Sequence, residues 1–100
     1  MREIILSRTA AVKLEKLLNY LDAEWSSRVK QNFIQKLDNS IHQIQKYPLS
    51  FEKSQIKTDL YRCVVTKQTT LYYKFDSKKV YIVSIFDNRM NPKKIITETK

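Results

Sequence analysis

Three runs of β-branched and aromatic residues, 60–66, 69–75 and 79–86, are separated by joints of two and three residues, Lys67-Gln68 and Asp76-Ser77-Lys78. Joints that short close only hairpins, because a parallel crossover needs about a dozen residues or more. The second half of the chain is therefore held to an antiparallel meander of three strands, and what precedes it must cover one of its faces. Period-two alternation assigns Cys63, Val65, Leu71, Tyr73, Phe75, Tyr81, Val83 and Ile85 to the covered face. It leaves Arg62, Val64, Thr70, Tyr72, Lys74, Ile82 and Ser84 on the open one.

Upstream, residues 2–6 (Arg-Glu-Ile-Ile-Leu) are β-prone and stop at Ser7, a good helix N-cap. A short first strand thus passes directly into a helix over 7–24. Leu14, Leu17, Leu18, Leu21 and Trp25 recur at three- and four-residue steps and form its apolar face, while Lys13, Lys16, Asn19 and Asp22 point elsewhere. Ser26-Ser27 interrupts and recaps the chain, and Val29, Phe33, Leu37, Ile41 and Ile44 carry a second helix until Pro48 forbids continuation. So short a connection makes the helices an antiparallel hairpin. The expected fold is α+β in the order β-α-α-β-β-β, one domain over 1–100, with the helices packed on one face of the sheet. A loop spans 47–58, and a polar exit, Asp87-Asn88-Arg89, leads into a basic tail at 90–100 that reads as a mobile end.

Composition narrows the function classes. Nineteen Lys and Arg against ten acidic residues give a net charge of +9, the electrostatic footprint of a polyanion binder. No residue is glycine, which excludes the backbone loops that cradle nucleotide phosphates and so any cofactor of that kind. One cysteine, Cys63, lies inside a strand run and one histidine, His42, on a helix, so neither a disulfide, a Cys-His nucleophile nor a metal site is expected. Only Ile4-Ile5-Leu6 are consecutively apolar near the N-terminus, too few for a signal peptide or a membrane span. The expected location is the cytoplasm.

A basic chain of this order, carrying TAAVKLEKLLNYLDAEWSSRVKQNFIQKL, LYRCVVTKQTTLYYKFD and VSIFDNRMNPKK, resembles the RelE/ParE superfamily of toxins from type II toxin-antitoxin modules, plasmid-stabilisation-like members included. The resemblance implies a cognate antitoxin partner and one of two activities. RelE-like members are endoribonucleases (mRNA interferases) that cut message in the ribosomal decoding site, and ParE-like members poison DNA gyrase without a catalytic constellation. A non-toxic basic RNA-binding module is the third option. Charge and the basic open face favour the ribosome and its message.

For the ribonuclease, the resemblance places Arg62 in the strand-two region where those enzymes carry basic residues, and Arg89 near the arginine that follows their last strand. Thr70 stands where they place a third-strand arginine, Arg62 and Lys67 replace a lysine pair, and no Tyr or His follows Tyr81. Tyr72 and Lys74, both on the open face, are the candidates to stand in for the missing acid-base group. Arg62, Arg89 and Tyr72 are accordingly the expected catalytic residues, with Lys67, Lys74, Lys93 and Lys94 on the nucleic acid. Asp87 either orients Arg89 through a charge-assisted bond or begins the exit turn.

Overall fold

Ser7 is the joint on which the N-terminal half turns. In a computed structural model that describes residues 1–55 and 59–90, strand β1 (Glu3–Leu6) ends there and helix α1 (Arg8–Glu24) begins. The Ser7 hydroxyl accepts from the Ala10 amide at 3.0 Å and donates to the Val83 carbonyl at 2.7 Å, while its backbone N–H reaches the Ile82 carbonyl at 2.9 Å. One residue caps the helix and pins it to the sheet. Ser26 repeats the cap for α2 (Ser27–Lys46), accepting from Val29 N at 3.1 Å, and Pro48 opens a single 3-10 turn, Pro48–Ser50.

The meander forms as expected. β2 (Tyr61–Val64), β3 (Thr69–Phe75) and β4 (Lys79–Asp87) pair antiparallel, and β1 joins parallel to β4, giving the order β1-β4-β3-β2 and a mixed sheet. Asp76 accepts from the Lys78 and Lys79 amides at 2.8 Å each and so fixes the β3–β4 turn.

Strict alternation fails at one place. Tyr72 pairs with Ser84 but the next residue, Tyr73, pairs with Ile82, so Val83 is an extra residue in β4. The bulge exchanges the faces around it. Val80 and Ile82, with Ile85 and Asp87 beyond the bulge, turn to the helices and are buried, whereas Tyr81 pairs with Lys74 on the open side. The assignment of Tyr81 and Val83 to the covered face and of Ile82 to the open face is therefore corrected.

Between the layers, Leu17, Leu21, Phe33, Leu37 and Ile44 of the helices meet Cys63, Leu71, Tyr73, Val80, Ile82 and Ile85 of the sheet in one core. Each large apolar side chain buried there is worth about 1.5–3 kcal/mol. Tyr73 is fully buried, donates to the Pro48 carbonyl at 2.6 Å, and burial pushes its phenol well above the ordinary tyrosine range. Burial likewise raises the Cys63 thiol, a hydrogen bond with Ser40 opposing it, which suits an unreactive core residue. Trp25 departs from expectation: it is the C-cap of α1 and 54% exposed, because the apolar stripe leaves the core at the helix end. His42 is exposed on α2 with Nδ1 2.9 Å from the Asp38 carbonyl. Among the described residues no cluster of metal-ligating side chains forms, and no helix is long and apolar enough to cross a membrane.

Candidate functional site

The register of the sheet sets Arg62, Tyr72 and Ser84 in one row across β2, β3 and β4 on the open face. The next row is Val64, Thr70 and Phe86, and on the other side Lys74 faces Tyr81. Cross-strand neighbours on one face lie about 5 Å apart, so these side chains share one surface.

Arg62 is half-buried on β2, its backbone N–H held by the Glu52 carbonyl at 2.9 Å. Its Nε is buried and has no hydrogen-bond partner among the described residues. An unmade bond of this kind costs about 1–3 kcal/mol, more for a charged group. Tyr72 stands beside it, its ring edge-to-face with Phe86 at 5.6 Å between centroids. Phe86 carries a cation on top: the Lys13 ammonium lies 3.9 Å from the ring centroid and 3.3 Å from the Ser84 hydroxyl.

Lys13 belongs to α1, not to the sheet. β1 pairs with β4 only over Lys79–Ile82, so beyond the bulge α1 takes the place of an edge strand. From there a long side chain passes round the edge to the open face. The three- and four-residue spacing of α1 places Lys13 off its apolar face and says no more of it. Nothing local signals its reach, which depends on β1 having four residues against nine in β4.

Arg89 has a different setting. Its Nε donates to Asp87 Oδ1 at 2.9 Å and its Nη2 to Oδ2 at 2.6 Å, while its backbone N–H donates to Oδ1 at 2.9 Å. The Asp87 carboxylate also accepts from the Thr69 hydroxyl, and the Arg89 guanidinium covers the Trp25 ring at 5.5 Å. Tyr20 donates to the Arg89 carbonyl at 3.3 Å. Asp87 faces the helix side with its side chain 1% exposed, against 15% for Arg89. Burial pushes the Asp87 carboxyl up, but the bonds from Arg89 and Thr69 outweigh it and hold the group below the ordinary carboxylate range. Bonding to Asp87 in turn raises the Arg89 guanidinium, with burial opposing. Of the two alternatives for Asp87, the structure has the charge-assisted pair.

The structure therefore brings Arg62, Tyr72 and Lys74 onto one surface and holds Arg89 at the helix side of the sheet. Lys67 is exposed in the β2–β3 turn, and Lys93 and Lys94 lie outside the described residues. The open face gains Lys13, Tyr81 and Phe86. No carboxylate or imidazole projects from β2, β3 or β4 onto it among the described residues. Such a surface can bind and orient anions; among the described residues its strands add no group that takes a proton readily near neutral pH.

Comparison with known proteins places this geometry. The family described as the ParE toxin of the type II toxin-antitoxin system, parDE, matches residues 4–92. Among solved structures, the chromosomal ParDE system from P. aeruginosa superposes with a TM-score of 0.71 at 11% identity, covering 87% of this chain and 96% of that one. The E. coli DinJ-YafQ complex gives 0.62 at 12% identity, covering 91% and 98%. The YoeB dimer from Staphylococcus aureus gives 0.59 at 16% identity, covering 85% and 94%. At these identities the likeness is one of fold. No curated protein matches the chain in sequence.

Proposed function

The chain belongs to the ParE toxin family of type II toxin-antitoxin systems, and from that premise we propose that it is the toxin of such a module, held in check by a cognate antitoxin, and that it arrests growth in the cytoplasm by binding DNA gyrase. The observation that carries this choice is the open face itself, with cations at Arg62, Lys74 and Lys13 around Tyr72, no carboxylate or imidazole from the strands among the described residues, and the second arginine paired with Asp87. Metal-independent RNA cleavage has to remove a 2′-hydroxyl proton and protonate a leaving oxygen. A binding surface has to do neither.

Ribosome-dependent cleavage of message is the second reading, and the adjacency of Arg62 and Tyr72 favours it. There Arg62 would stabilise the phosphorane, Tyr72 would serve as the acid-base group, and Lys67, Lys74, Lys93 and Lys94 would hold the strand. Arg89 could contribute only by leaving Asp87.

Induction in a bacterial host separates the two. The gyrase reading predicts a DNA-damage response with message 5′ ends unchanged, and loss of supercoiling activity when purified gyrase meets the purified toxin. New 5′ ends at codon-spaced positions, absent in a folded Arg62→Ala variant, would replace it with the ribonuclease. Coexpression of a cognate antitoxin should restore growth in either case.

A further inference from the structure

Two cations stand at opposite ends of one row. From Arg62 to Ser84 is two strand spacings, roughly 10 Å, and Lys13 lies at the far end against Ser84. Tyr72 sits between them, and its neighbour Phe86 is already covered by the Lys13 ammonium. A face of this kind, an aromatic ring between two cations, is what single-stranded nucleic acid takes: phosphates on the cations, a base or sugar over the ring. An acidic peptide would use the cations but would leave the aromatic centre without a task.

We infer that Lys13, reaching over the sheet edge from α1, completes with Arg62 and Tyr72 a binding site for the phosphodiester backbone of a DNA strand. This rests on the gyrase reading, which puts DNA within reach of the bound toxin. The two cations hold the backbone on either side of Tyr72, and the Phe86 ring and Ser84 hydroxyl keep the Lys13 ammonium in position. Arg62 supplies the planar cation at the other end of the row.

The test uses the purified full chain and a fluorescent single-stranded oligodeoxynucleotide, titrated over a range of salt concentrations. Lys13→Gln and Arg62→Gln should each weaken binding several-fold and flatten the slope of log affinity against log salt by about 0.7, the value for one phosphate contact on a single strand. Lys16→Gln, exposed on the same helix, should change neither, and Lys13→Arg should restore most of the affinity. Thermal melts of the variants guard against unfolding. If Lys13→Gln behaves like Lys16→Gln, Lys13 is not part of the site and the inference fails. It also fails if an oligoribonucleotide of the same length or polyglutamate is bound and the DNA strand is not, the first pointing to RNA and the second to an acidic protein. Gyrase supercoiling assays on the same preparations keep the two ideas apart. Inhibition by wild type without strand binding sinks the site and spares the gyrase reading, and strand binding without inhibition removes the gyrase reading and the DNA source with it.

Discussion

Arg62 and Arg89 look alike in the sequence, each a lone arginine at a strand or strand exit, yet the fold places them in opposite conditions. Arg89 is held by its own chain on two sides: a carboxylate in fork geometry, and an aromatic ring under its face. Arg62 has a buried Nε with no acceptor among the described residues. Both are cations beside a sheet, and charge alone does not tell them apart. The difference is what a partner could still add. An arginine paired with a buried carboxylate fastens the fold, whereas one set on the open face beside Tyr72 can meet a ligand.

The sharpest way to break this contrast is to truncate both. Arg89→Ala strands the Asp87 carboxylate, almost wholly buried, and should cost about 3–5 kcal/mol by urea unfolding. Arg62→Ala should stay within about 1 kcal/mol of wild type, because the loss of its stem packing is offset by removal of an unsatisfied donor. Growth arrest should nevertheless vanish in the Arg62 variant while the fold persists. Equal destabilisation by the two substitutions would erase the distinction.

Acid sharpens it from the other side. Asp87 titrates below its unfolded value of about 3.9, so its contribution is complete above that pH and disappears as pH falls through the lower folded value. Wild-type stability should therefore drop more steeply below about pH 4 than that of Asp87→Asn, measured as urea midpoints against pH. Asp76, held low by the Lys78 and Lys79 amides, changes in the same direction in both proteins and drops out of the difference. The smallest effect belongs to Trp25→Ala, which removes the ring beneath Arg89 and should cost about 0.5–1 kcal/mol.

What could be read from the sequence was local. Caps at Ser7 and Ser26, the stop at Pro48 and the bounds of β3 follow from residue chemistry within a turn or two and appear where expected, whereas β2 is shorter than its β-prone run and β4 runs one residue further, to Asp87. The face of each residue on β4 does not follow in this way, because one unannounced residue, Val83, shifts the alternation and no local pattern distinguishes a bulged valine from a paired one. Lys13 was hidden for a related reason. Its position on the open face follows from the lengths of β1 and β4 together, a relation between segments some 75 residues apart in the chain. The pairing of Asp87 with Arg89, two residues apart, was within reach of sequence and was one of two options there.

The partnership of β1 with β4 also has a consequence in time. Residues 3–6 are made early, but their partners are 79–82, and the Ser7 cap that anchors α1 bonds to residues 82 and 83. On the ribosome the first strand must wait unpaired while the helices and the first hairpin emerge, and the chain commits to its native arrangement only after residue 83 has been added. A chain of the ParE toxin family assembled in this order spends most of its own synthesis without its open face.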